Sequence, residues 1–333
     1  MGCLAENLNS GELRRLLIVS PSGGLNDLLC QLTDALTLAE YVNSAVVIDN
    51  PHKSGATRFL GDLFTFKTNQ EVFLNLDQQD QSALDDFLKG EGLAVFRTET
   101  RTQNALKKSL RFTNSRGEVI FFTGRKGGKH GALFFDYVDL AQDLLARSIE
   151  EAKLVDEETI GLHIRHSDYK TEFTSVIDNV RQKFPNTKIF VSSDSAKVVE
   201  YARQKLNSNL ISPPRLRPPG DHPLHKQPGS VGVNLHRQLA FETILDLMLL
   251  GRCGRFLYTP SINEGPGRPV LISGFSRLVV GYRKKSHTLA EFSKTTKNPR
   301  MIVTRKQALR FTAHFAGRFL EKAHTQIAAK LTR

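Results

Sequence analysis

The sequence predicts an α/β layered fold, and three observations carry that reading. The N-terminal stretch runs from an apolar segment through a glycine turn and an amphipathic segment into a second apolar segment. The same alternation of strand-like and helix-like patterns returns between residues 159 and 206. At 333 residues the chain exceeds one usual core, so two such domains are expected.

Taken in order, residues 14 to 20 read as a buried strand and Pro21 to Gly24 as a tight turn. Leu25 to Val42 reads as a helix, because Leu25, Leu28, Leu29, Leu32, Ala35, Leu36, Ala39 and Val42 keep helical spacing on one face. Ala45 to Asp49 is the next strand, which completes a βαβ opening. The turn Ser22-Gly23-Gly24-Leu25-Asn26-Asp27 lacks the full Gly-x-Gly-x-x-Gly pattern, so its glycines are read as letting the chain turn sharply into a helix.

Between residues 50 and 115 the pattern is weaker. Phe59 to Phe66 and Glu71 to Leu76 read as short elements, Gln78 to Leu88 as a polar-faced helix and Glu118 to Phe122 as a strand. Gly124-Arg125-Lys126-Gly127-Gly128-Lys129-His130-Gly131 has no Gly-Lys-Ser/Thr ending, which rejects a Walker loop and leaves a basic loop. Phe134 to Ala152 is expected to be one helix. The charged stretch Glu150 to Glu158 marks a boundary, giving domains at 1–152 and 153–304.

Thr159-Ile160-Gly161-Leu162-His163-Ile164-Arg165-His166-Ser167-Asp168-Tyr169 organises the second half. As a strand it sets Ile160, Leu162 and Ile164 on one face and His163 with Arg165 on the other, roughly 6.6 Å apart. An imidazole and a fixed cation at a strand end suit a phosphorylated ligand, since guanidinium grips two phosphate oxygens at once. The competing reading is structural, with Arg165 paired to Asp168.

Downstream, Glu172 to Phe184 suits a helix, Thr187 to Val191 a buried strand and Ala196 to Leu206 a helix. Ser192-Ser193-Asp194-Ser195 then sits at a strand end, where a side chain either caps the helix or meets a ligand at the sheet's carboxyl edge. Ser212 to Gly229 is a long Pro-rich loop. Its His222 and His225, with His236, have no carboxylate or cysteine at ligand spacing, so no metal is expected. Leu235 to Leu250 reads as an apolar helix, followed by a strand Arg255 to Tyr258 and a turn Thr259-Pro260-Ser261. Residues 305–333 read as an amphipathic helix with seven Lys or Arg against the single Glu321. It is expected either to pack back on the N-terminal domain or to dock on anionic lipid at the inner membrane face.

His163-Ile164-Arg165-His166-Ser167-Asp168-Tyr169 resembles the His-x-Arg-(Arg)-x-Asp signature of the fucosyltransferase superfamily, and is similar to that of the nodulation-type α-1,6-fucosyltransferases and their animal relatives. The likeness covers residues 14 to 50 and, in pieces, 159 to 277. It implies a GT-B architecture, two Rossmann-like domains with parallel sheets facing a cleft, and an inverting, metal-independent transfer from GDP-fucose or a related GDP-sugar. No separate cofactor is implied, because the GDP-sugar is a substrate.

On that resemblance Arg165 clamps the diphosphate, His163 and Asp194 hold guanosine, and His166, Ser193 and Asp246 belong to the donor side. Ser261 touches phosphate, although residues 262 to 272 intervene before Ser273-Gly274-Phe275-Ser276, so either Ser261 or Ser273/Ser276 is the counterpart. His166 stands where many relatives have a second arginine. Glu172 resembles the base of the animal enzymes, with one residue fewer between it and Arg165, and Asp168 competes for that role. Gly23, Gly24, Asn26 and Asp27 fall on the acceptor side.

Composition narrows the alternatives. A balance of 46 basic against 34 acidic residues, +12 overall, favours an anionic partner. Scattered basic residues and phenylalanines in apolar runs argue against a nucleic-acid or general polyanion binder. A metal-dependent phosphoesterase built on His163, His166 and Asp168 is the second enzymatic reading. Cys3, Cys30 and Cys253 are far apart and odd in number, which points to a reducing compartment without a disulfide scaffold. No apolar run reaches the roughly 20 residues of a membrane span and no signal anchor is evident, so a bacterial, cytoplasmic enzyme acting on an oligosaccharide or lipid-linked glycan is expected.

Overall fold

The computed structural model describes residues 4–11, 15–49, 56–89, 93–98, 117–122, 128–166, 171–216, 232–261, 271–289 and 300–301. By contacts the chain divides into two units. One comprises Met1–Glu150, Leu224–Leu247 and Arg277–Phe292; the other comprises Glu151–Pro223, Met248–Ser276 and Ser293–Arg333. The units are thus discontinuous in sequence.

In chain order the first half forms α1 (Leu4–Asn9), β1 (Arg15–Val19), α2 (Leu25–Val42), β2 (Ala45–Ile48), α3 (Leu60–Leu63), β3 (Phe64–Phe66), β4 (Val72–Leu74), α4 (Gln78–Lys89), β5 (Leu93–Thr98), β6 (Gly117–Phe122), β7 (Val138–Leu140) and α5 (Gln142–Ala152). Five strands make a sheet in the order β4-β2-β1-β6-β5, every neighbour parallel. Leu16, Leu17, Ile18 and Val19 are all buried, as a central parallel strand covered on both faces requires.

The turn after β1 works because Gly23 adopts φ +108, a region that a side chain rarely enters. α2 follows at once, with Gly24 as its N-cap in extended geometry. It ends where Asn43 takes the left-handed conformation and returns its backbone N–H to the carbonyl of Ala39.

The structure departs from the sequence reading at several elements, among them α1 and the later helix Gly274–Leu289, which the sequence reading did not include. The expected helix Phe134 to Ala152 is a 3-10 turn over Gly131–Asp136, then β7, then α5. Phe134 is fully buried and meets the Phe64 ring edge to face at 5.3 Å, while β7 pairs antiparallel with β3. Tertiary packing of an aromatic anchor therefore overrides local helix propensity. β5 was not anticipated either; its ladder partner β6 lies across a long intervening stretch, so no local signal announces the pairing.

The second half forms β8 (Ile160–Ile164), α6 (Phe173–Lys183), β9 (Ile189–Ser193), α7 (Ala196–Leu206), β10 (Leu210–Ile211), α8 (Val233–Arg252), β11 (Arg255–Tyr258), β12 (Pro260–Ser261), β13 (Leu271–Ile272), α9 (Gly274–Leu289) and β14 (Arg300–Met301). Its sheet runs β10-β9-β8-β11-β14, again all parallel. Ile160, Leu162 and Ile164 of β8 pack with Val176, Ile177 and Val180 of α6 and Val198 and Ala202 of α7.

Entry into β8 is set by a hydrogen-bonded turn. Oδ1 of Asp156 accepts from the backbone N–H of Thr159 at 2.8 Å, its hydroxyl at 2.6 Å and the N–H of Glu158 at 3.0 Å. Gly254 lies against the same turn, since a Cβ there would fall 1.6 Å from the carbonyl oxygen of Glu157.

In this sheet the chain steps outward from β8 to β9 and β10, then crosses over to β11 and β14. The reversal leaves a switch point between β8 and β11, and open α/β sheets bind ligands beyond the carboxyl ends of strands at such a point. The first sheet has the corresponding reversal between β1 and β6.

Candidate functional site

His163 stands next to the last residue of β8, opposite Tyr258 of β11 and Ser192 of β9. Its carbonyl accepts the N–H of Thr259, which pins the backbone at the switch point. The imidazole is 4% exposed. Its Nδ1 lies 2.7 Å from Oγ of Ser276, and the ring of Phe275 tilts over it at a centroid distance of 4.9 Å.

Ser273 organises the partner. Its Oγ accepts the backbone N–H of Ser276 at 3.0 Å, capping the first turn of α9, and donates to Oγ of Ser276 at 2.9 Å. The sequence left Ser261 and Ser273/Ser276 as alternatives. The structure places Ser276 on His163 with Ser273 behind it, and it pairs the backbone of Ser261 with Leu271 in a two-stranded ribbon.

Arg165 lies just past β8 rather than on its face, because the strand ends at Ile164. Its Nε meets Oδ2 of Asp194 at 3.4 Å, with both side chains largely buried. The other carboxylate oxygen of Asp194 accepts the backbone N–H of His166 at 2.9 Å. Asp194 therefore ties the end of β9 to the turn after β8 through two charge-assisted contacts.

His166 follows Arg165 along the chain. Its Nδ1 accepts the N–H of Thr171 at 3.3 Å, and its ring meets Phe173 edge to face at 4.8 Å. Thr171 donates its hydroxyl to the carbonyl of Arg165 at 2.6 Å. Thr259 adds a third strand end, its Oγ1 accepting the N–H of Arg165 at 3.4 Å. Sequence reasoning missed both threonines; the only signal was a threonine directly after β11 and another shortly before α6.

Glu172 is the N-cap residue of α6, exposed, with no side-chain capping bond. Asp168 lies outside the described residues. Ser193, 6% exposed, accepts the N–H of Ser195 on its hydroxyl, which shapes the start of α7. Asp246 is also 6% exposed and lies in the part of α8 that groups with the first unit.

Gly23, Gly24, Asn26 and Asp27 occupy the switch point of the first sheet, after β1. Asn26 is 2% exposed and donates its amide to the carbonyl of Gly128 at 3.1 Å, joining the α2 start to the segment that precedes the 3-10 turn. The carbonyl of Asp27 accepts Nε2 of Gln31 at 2.8 Å, and the same amide reaches the carbonyl of Ser22. One turn further along α2, burial pushes the Cys30 thiol up from its ordinary value. Cys30 and Cys253 are both buried free thiols.

Among the described residues no group of three or more His, Cys, Asp or Glu side chains is placed to hold a metal ion. No described helix is long and apolar enough to cross a membrane. The basic loop 124–127, the proline loop beyond residue 216 and the segment 305–333 lie outside the described residues.

No protein-family model and no curated protein matches the chain. Solved structures do. The apo form of POFUT1 aligns with a TM-score of 0.51 at 11% identity, covering 87% of this chain and 98% of that one. POFUT1 in complex with GDP-fucose aligns over the same shares with a TM-score of 0.50. The fucosyltransferase NodZ from Bradyrhizobium aligns with a TM-score of 0.48 at 15% identity, covering 80% of this chain and 92% of that one. The chain thus has the α/β fold with parallel sheets found in GT-B glycosyltransferases.

Proposed function

We propose that this chain is a glycosyltransferase that moves fucose, or a related sugar, from a GDP-sugar to a hydroxyl of a glycan. One observation carries the reading. Arg165 stands beyond the carboxyl end of β8, at the switch point of a parallel sheet, with its guanidinium positioned by Asp194. The likeness in fold to POFUT1, a protein solved with GDP-fucose, supports it.

In this reading Arg165 grips the donor diphosphate and stabilises the leaving GDP as the glycosidic bond breaks, which is charge stabilisation where charge develops. A fixed cation in that place does the work of a metal, so transfer is metal-independent. Asp194 holds Arg165 in register. His163 and the start of α9, where Ser273 and Ser276 lie, meet the nucleotide, because a helix start offers backbone N–H groups to anions. Glu172 takes the proton of the acceptor hydroxyl and attack inverts the anomeric centre; Asp168 is the alternative base. Gly23, Gly24, Asn26 and Asp27 mark the acceptor side, with Asn26 acting through its backbone.

The test is calorimetric titration of GDP, UDP and GDP-fucose into the wild type and Arg165→Ala, with EDTA present. GDP binding that survives EDTA and collapses in the variant is the expected result. No nucleotide binding, or binding indifferent to Arg165, would sink the reading; binding abolished by EDTA would promote a metal site.

A further inference from the structure

Ser273, Ser276 and His163 form a hydrogen-bond chain. Ser276 has one hydroxyl proton. Its Oγ already accepts from Ser273 at 2.9 Å, so its own proton is available to the nitrogen 2.7 Å away, Nδ1 of His163. A neutral imidazole whose Nδ1 accepts carries its proton on Nε2. The backbone at both ends is held independently: Thr259 donates to the carbonyl of His163, and Ser276 N–H is bound to Oγ of Ser273. All three side chains are buried, with Ser276 fully so, which keeps water from competing for these bonds.

We propose that Ser276 is a positioning residue that, backed by Ser273, holds His163 as the Nε2–H tautomer and so makes the imidazole a hydrogen-bond donor to an oxygen of the bound nucleotide. The nucleotide half of this inference rests on the reading proposed above. It also separates the two enzymatic readings. A nitrogen that carries a proton can neither take one from a nucleophile nor ligate a metal, and the other nitrogen is engaged by Ser276. His163 therefore binds; it is neither a base nor a metal ligand.

The experiment is a long-range proton–nitrogen correlation spectrum of the full chain labelled with nitrogen-15 at its 10 histidines, His163 being assigned by the signal lost in His163→Asn. The wild type should show Nδ1 unprotonated and Nε2 protonated. Ser276→Ala should mix the two tautomers and weaken GDP binding about tenfold, and Ser276→Thr should restore both. A merely structural serine would change stability without moving the tautomer. A wild-type spectrum with the proton on Nδ1 overturns the proposal, and that measurement stands even if Ser276→Ala does not fold. An unchanged tautomer in folded Ser276→Ala removes Ser276 from the role. The expected tautomer in a protein that binds no GDP overturns the nucleotide half alone and leaves the hydrogen-bond chain intact.

Discussion

Asp194 holds the guanidinium of Arg165 with one oxygen, at 3.4 Å, and the backbone N–H of His166 with the other, at 2.9 Å. One carboxylate just past β9 thereby holds both the cation and the backbone of the residue that follows it. Truncation as Asp194→Ala should cost about 2 kcal/mol of stability, as expected for the loss of a hydrogen bond to a charged group together with an ion pair. GDP affinity should fall about tenfold, because Arg165 loses its positioning contact. In a double-mutant cycle by calorimetry, Asp194→Ala should add little to Arg165→Ala, since both act through one guanidinium. Full additivity would mean that Asp194 meets the nucleotide by itself.

Glu172 is exposed and makes no side-chain capping bond to α6, and Glu172→Gln keeps the size and polarity of the side chain, so the replacement should spare the fold. As the base, Glu172→Gln should lower turnover with GDP-fucose and a glycan acceptor by about 10² to 10⁴, with GDP affinity unchanged. Turnover that survives in Glu172→Gln and disappears in Asp168→Asn would move the role to Asp168.

Gly254→Ala tests how tightly β11 sits on the turn before β8. A methyl group placed 1.6 Å from the carbonyl oxygen of Glu157 cannot be accommodated without moving backbone. The variant should lose about 3 kcal/mol in urea denaturation, the upper end of an ordinary overpacking cost. A loss under about 0.5 kcal/mol would show that the turn yields freely.

Stability in acid should depend on Asp156. Its carboxyl is held below the ordinary range, first by the Thr159 hydroxyl, with the N–H groups of Thr159 and Glu158 and the charge of Lys188 adding and burial opposing. Since the folded carboxyl titrates below the unfolded one, its contribution is complete above the unfolded value of about 3.9 and is lost as pH falls through the folded value. Asp156→Ala should be about 1 kcal/mol less stable than the wild type at pH 6, a modest figure because the side chain is exposed. The gap should narrow in melts below pH 4. A gap that widens in acid would contradict this account.

Local chemistry made some elements readable. α2 spans Leu25–Val42, α7 Ala196–Leu206 and β11 Arg255–Tyr258, as the spacing of apolar residues and the flanking turns predict. The switch from an expected long helix to a 3-10 turn, β7 and α5 was not readable, because it depends on Phe134 finding Phe64 some 70 residues earlier and on β7 finding β3. The same limit applies to the site. The motif around His163 and Arg165 marked where to look, and the two alternatives at Ser261 and Ser273/Ser276 stood level in sequence. Only the folded chain brings Ser276 to His163 across 113 residues.

By itself the sequence determined the α/β class, the position of the strand that carries His163 and leads into Arg165, and the cationic character of the chain. Those properties live in periodicity, composition and short motifs, each of which acts within a few residues. The tertiary structure decided the rest: the strand order that creates a switch point between β8 and β11, the pairing of Arg165 with Asp194, and the serine that faces His163. Parallel pairing joins strands that are separated by whole crossovers, so which strand ends become neighbours is settled by how helices pack on the sheet, and no local pattern carries that information.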